Sequence, residues 1–206
     1  AVEQLLNHPH TNARMPPPSR PPSSACSAAH DAANVPCLLA ITSLCVAGLV
    51  GVVDPLFVTR VFLAYMVIDG AWIACFPRAV PSAARVVVIH HCVALVLLLH
   101  VVKRPDRAVE TCKNGLVEGN TLALILRRRA VRGTFSHGVW HALYVSTLVP
   151  VRFVWQPYLL WRFAFVVTKD DVFWERATVC GAQCFLLGFN IFLVARRRLA
   201  TEKKTT

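Results

Sequence analysis

An all-α integral membrane protein, a bundle of about six transmembrane helices, is the fold class this sequence predicts. Three observations predict it. Hydrophobic residues make up 55% of the 206, and mean hydropathy is +0.51, more apolar surface than a soluble domain of this size can hide. The apolar residues gather into runs of about 20, the length that crosses a bilayer as a helix. The formal net charge is +11, with Lys and Arg in short clusters between the runs, as in membrane-protein loops. Basic composition alone would suggest nucleic acid. The interleaving of charge and apolar runs argues against that partner and for membrane lipids.

Taken in order, residues 1–34 contain MPPPSRPPSSACSAAHDAAN, rich in Pro, Ser and Ala. They read as a flexible tail. The first span, VPCLLAITSLCVAGLVGVV (35–53), carries no charge. Asp54-Pro55 breaks the chain. The second, LFVTRVFLAYMVIDGAWIACF (56–76), holds Arg60 and Asp69. A loop with two prolines leads to the third, VVVIHHCVALVLLLHVV (86–102), which KRPDR ends. A more polar fourth span runs over 108–126, with Glu118 inside it and Arg127, Arg128 and Arg129 following. The fifth, 138–166, contains Pro150 and Pro157, so a kink or break is expected there. The sixth covers 172–195 and ends in Arg196, Arg197 and Arg198. The transmembrane domain is therefore 35–198, followed by a short basic tail, 199–206.

Six spans place the N-terminal tail, the second and fourth loops and the C-terminal tail on one side. Most of the Lys and Arg lie there, including Arg78, Arg85, Arg127, Arg128, Arg129 and Arg132. The positive-inside rule assigns that side, with both termini, to the cytosol. Trp155, Trp161 and Trp174 near span ends suit interfacial anchors. No CxxC pair occurs among the eight cysteines. Those inside apolar runs (Cys37, Cys45, Cys75, Cys92 and Cys180) read as small buried hydrophobes.

Ionisable groups inside a bilayer cost several kcal/mol unless they face protein or water. At about 1.5 Å per helical residue, Asp69 lies roughly 10 Å from the cytosolic end of its span, His90 and His91 roughly 6–8 Å, and Glu118 roughly 13 Å. Three spans thus bring acid or imidazole to a similar depth, which implies one polar cavity opening toward the cytosol. Adjacent helical residues point about 100° apart. One of His90 and His91 therefore faces the cavity, and the other flanks it or bonds a neighbouring helix. Asp69 or Glu118 would orient a ring. Each of these residues could also serve only as hydrogen-bond glue between helices. Arg60 and Arg152 fall toward the far half of their spans, to snorkel or to pair inside. His137 and His141 have the i, i+4 spacing of metal ligands, but a span edge explains them equally well. No metal and no cofactor is expected.

These motifs resemble the TLC-domain membrane proteins, the family that includes the ceramide synthases. AYMVID (64–69) is similar to the family's Gly-Tyr-Phe-x-x-Asp pattern, with Tyr65 and Asp69 in register and Ala64 in place of glycine. His90-His91 resembles its paired histidines. LVEGNTLALILRR (116–128) resembles its stretch of a glutamate, a small polar residue two on and a terminal arginine. LVPVRFVWQPYLLWR (148–162) resembles its arginine-then-proline span. The extended His-Asp signature of ceramide synthases is absent, so the likeness is closer to the smaller, non-ceramide-synthase members.

The resemblance implies a TLC-like barrel in the endoplasmic reticulum or another endomembrane, bound to membrane lipids. Candidate chemistry sits at His90, His91, Asp69 and Glu118, with Tyr65, Asn120 and Arg152 against the substrate. Three functions follow as expectations: lipid binding, sensing or regulation of membrane composition; acyl transfer from acyl-CoA by the histidine pair; and a membrane trafficking adaptor.

Overall fold

The computed structural model describes residues 25–80 and 83–202, with side chains as far as residue 195. Among the described residues it is all helical, with no strand. Helix α1 spans Ala25–Leu49, α2 Pro55–Cys75, α3 Ala84–Lys103, α4 Ala108–Gly115, α5 Val117–Arg129, α6 Phe135–Val149, α7 Gln156–Arg162 and α8 Phe173–Glu202. α1, α2, α3 and residues 173–195 of α8 are each long and apolar enough to cross a membrane. Many large apolar side chains face outward, among them Phe57, Ile68, Leu99, Phe165 and Phe192. A bilayer favours that outer surface, whereas water would not. The protein is an all-α membrane protein.

The remaining two crossings expected from sequence are built differently. The fourth is jointed, with α4 and α5 meeting at Leu116. The fifth is one helical rod from Phe135 to Val167, and neither proline breaks it. Pro150 opens a π-helical stretch, Pro150–Trp155, and Pro157 lies just inside α7; a second π-helical stretch, Phe163–Val167, follows. A π turn widens the ring, so the N–H that proline lacks need not be matched within a regular α ladder.

The expected tail also gives way to structure. Residues 25–34 form the first turns of α1, while 1–24 lie outside the described residues. Alanine-rich sequence favours helix, and α1 buries His30, Asn34, Leu38, Ile41, Cys45 and Gly48. That spacing of three and four is one helical face running straight through the expected tail boundary. Asp54 starts α2 by accepting a hydrogen bond from the Leu56 N–H at 3.0 Å, with Pro55 at the first helical position; such a cap contributes about 1 kcal/mol.

The helices close into a ring. α1 packs on α2, α2 on α3, α3 on α8, α8 on α7, and α5 joins α6 to α1. The short α4 packs inside against α1 and α2. Lipid tails are as apolar as leucine, so close packing and polar contacts hold such a ring together. The largest packed cluster joins α1, α2, α3 and α4 through Ile41, Cys45, Phe62, Met66, Leu98 and Cys112. Glycines permit that approach: a Cβ on Gly48 would stand 2.6 Å from Cys112 Sγ, and one on Gly115 would collide with Cys45 Sγ. Of the cysteines expected to be buried, Cys45 is and Cys180 is half-buried, but Cys37, Cys75 and Cys92 sit on the outer face; Cys112 is buried as well.

Each end is tied by ions. At the end carrying the arginine cluster (the basic end), Arg128 bonds Asp31 at 2.8 Å and Arg129 reaches the Ala28 carbonyl. At the far end Arg107 donates to both oxygens of Asp171, at 2.5 and 2.6 Å, and also to His100 Nε2 at 3.0 Å. This pairing holds the Asp171 carboxyl below the usual carboxylate range and raises the Arg107 guanidinium further.

Candidate functional site

A cavity of about 520 Å³ runs through the ring, within the range of about 300–1,000 Å³ typical of ligand sites. Its lining on α3 extends from Val87 to Val101, about 21 Å of helix at 1.5 Å per residue. The hydrocarbon core of a bilayer is about 30 Å. At the basic end it is bounded by Ser27, Asp31 and Arg128. Deeper, Leu38, Phe62, Met66, Leu97, Leu98 and Phe163 make an apolar wall, with Thr111, Asn114 and Gln156 adding polar groups toward the far end.

Of the residues singled out from sequence, His90, His91, Asp69, Glu118, Tyr65 and Arg152 all line this one cavity. The agreement in depth between spans therefore corresponds to a shared space. Asn120 is the exception. Instead of lining the cavity, it donates to the Tyr144 carbonyl at 3.0 Å and Thr147 Oγ1 at 2.9 Å, and accepts from Arg152 Nε at 2.7 Å. Its amide is spent on holding α5 to the fifth rod, and Thr121 takes its place in the wall.

The centre of the polar region is a carboxylate shared by two imidazoles. His91 Nε2 lies 2.9 Å from Asp69 Oδ2, and His30 Nε2 lies 2.8 Å from Asp69 Oδ1. The other His91 nitrogen, Nδ1, lies 2.8 Å from the Val87 carbonyl. Each of these three contacts needs one hydrogen. Two neutral imidazoles bring two, so the cluster holds a third, and its net charge is zero. That neutrality lets an aspartate stay buried in a membrane bundle. The Asn34 amide approaches His30 Nε2 at 3.2 Å, and Trp72 meets the His30 ring edge-on.

The two neighbouring histidines thus divide their roles as the 100° offset requires. His91 is fixed at both nitrogens. His90 stacks on Phe189 with ring centres 4.3 Å apart, and its buried Nδ1 has no hydrogen-bond partner among the described residues.

Arg152 is placed nearer the basic end than counting along its span suggests. It bonds Asn120 and Thr121 on α5 and Asn190 on α8, an inward pairing in place of snorkelling. Glu118, one turn before Thr121, has Arg152 as its cationic neighbour. Arg60 is exposed on the outer face. His137 and His141 stack at 6.2 Å near Arg127, and no group of three or more metal-ligating side chains assembles among the described residues. Trp155 is an internal link, donating to the Lys113 carbonyl at 2.9 Å, while Trp161 and Trp174 are exposed.

Reading the sequence alone leaves out His30, Asn34 and Asn190. For the first two a signal is present: they continue, at i, i+4 spacing, the buried stripe of α1. Asn190 sits in an otherwise apolar run, where one polar residue marks a helix contact.

No protein-family model matches the chain, and neither does any curated protein or solved structure.

Proposed function

We propose that this chain is a multi-pass membrane protein that binds lipid inside its helical ring and acts in sensing or regulating membrane lipid composition. The observation that carries this reading is the form of the cavity. It is long, apolar along its middle around Leu38, Phe62, Met66, Leu97 and Leu98, polar around His30, Asp69, His91 and Glu118 toward one end, and polar again at Thr111, Asn114 and Gln156 toward the other. An acyl chain fits the apolar length and a polar headgroup fits the cluster. The resemblance to the smaller TLC-domain proteins points the same way. In this reading the basic end faces the cytosol and the residence is the endoplasmic reticulum or another endomembrane. The test is lipid extraction from the purified protein followed by mass spectrometry. A stoichiometric lipid, displaced when Phe62 or Leu97 is replaced by Trp, supports it; a lipid-free protein sinks it.

A second reading, acyl transfer from acyl-CoA, is favoured by His90, a cavity-lining imidazole whose Nδ1 has no hydrogen-bond partner among the described residues. There the acceptor hydroxyl or amine attacks the thioester carbonyl and the carbon–sulfur bond breaks. The histidine moves the acceptor proton to the departing thiolate. Labelled acyl-CoA with His90→Ala and His91→Ala decides it: full transfer by both variants rejects the histidine mechanism. His91, with both nitrogens engaged, then acts by position.

A further inference from the structure

The ring is not equally closed along its length. α6 packs closely against α5, and among the described residues no comparable seam joins it to α8. The fifth rod packs on α8 lower down, through the π-helical residues 150–155, α7 and the stretch beyond it. A polar tie joins them there, Arg152 to Asn190. Above that tie, toward the basic end, the two helices flank the cavity: Leu148 from α6, Leu193 and Val194 from α8. All three are half-buried, so they belong to the cavity wall and to the outer surface at once. The surrounding exterior is apolar, with Leu143, Val145, Ile191 and Phe192 exposed.

We infer that the gap between α6 and α8 is a lateral portal, through which a lipid passes between the bilayer leaflet at the basic end and the cavity. The inference rests on the lipid-binding reading and adds the route. The alternative route is axial, past Ser27, Asp31 and Arg128. That opening is ringed by charge and bridged by the Arg128–Asp31 ion pair, which an acyl chain would have to pass while desolvating both partners. The side route is flanked mainly by apolar side chains, Leu148, Leu193 and Val194, with Tyr144 the polar exception on α6. It ends at the Arg152–Asn190 tie, so a chain entering above that level meets His90 and Phe189 and then turns into the apolar length. In this account Arg152 is the sill of the portal as well as a link between helices.

The experiment uses full-length protein in phosphatidylcholine vesicles, with a palmitic acid probe bearing a diazirine photolabel in its chain. Labelling rate and labelled residues are read by mass spectrometry. Wild type is expected to label on cavity residues such as Phe62 and Leu97. Leu148→Trp and Leu193→Trp, which narrow the gap, should slow that labelling about tenfold, while Leu148→Ala with Leu193→Ala speeds it. Ser27→Trp, which narrows the axial opening, should leave the rate unchanged. Cavity labelling that only Ser27→Trp slows overturns the portal and leaves lipid binding standing. Cavity labelling that no variant slows or speeds also overturns it. Labelling confined to outer-face residues such as Phe57 and Phe192 removes the lipid-binding reading itself, and the portal with it. The paired alanine variant guards against misfolding, since a damaged ring would not label the same cavity residues faster.

Discussion

At the scale of single residues, the decisive group is Asp69. It receives an imidazole on each oxygen, from α1 and from α3. Asp69→Asn keeps the shape but replaces one acceptor with a donor and removes the charge that balances the extra proton. The variant is expected to lose about 2 kcal/mol of stability, read as a lower melting temperature in detergent by thiol-dye unfolding. If it melts with wild type, the shared-carboxylate account fails. The Asp69–His91 half of this arrangement is legible in the sequence, because the depth of a polar residue in a span can be counted from its ends. The His30 half is not, because Pro, Ser and polar residues just upstream make the local composition look like linker. Asn120 escapes for another reason. Its depth and its helix are readable from sequence, but its rotation toward a neighbouring helix depends on where that helix sits.

At the scale of elements, α1 and α4 touch through glycine and cysteine. A methyl group on Gly115 would collide with Cys45 Sγ and stand 3.1 Å from Phe62 Cε1. Gly115→Ala should therefore destabilise by about 1–3 kcal/mol, the usual range for overpacking. Adding Cys45→Ala should restore part of that loss, a coupling that a double-mutant cycle measures. Equal effects of Gly115→Ala with and without Cys45 would remove the argument. The four uninterrupted helices are readable from hydropathy and length. The jointed fourth and the π-containing fifth are readable as helical but not in form, since a proline signals trouble in the ladder without saying whether the chain kinks, breaks or widens.

At the scale of the whole molecule, the far end is drawn together by Arg107 and Asp171, which link the turn after α3 to the turn before α8. The native carboxyl titrates below its unfolded value of about 3.9. The pair therefore adds stability in full above about pH 4, and that contribution is lost as pH falls through the lowered native value. Wild type should melt above Asp171→Asn at neutral pH, and the gap should narrow as the pH is taken below about 4. A gap that stays constant across that range would show that the carboxylate charge does not matter there. Which turns meet at each end follows from counting spans. The particular residues that clasp do not, because several acids and arginines compete at each turn.

The carboxylate shared between the first and third helices bears on how the chain is made. His30 enters the bilayer 39 residues before Asp69, and His91 comes 22 residues after it. At about 5–20 residues per second of synthesis, the first helix waits several seconds with Asn34, one turn along, as the polar neighbour of the His30 imidazole. α1 therefore completes its His30 contact only once α2 has been made, and the shared carboxylate only once α3 has followed.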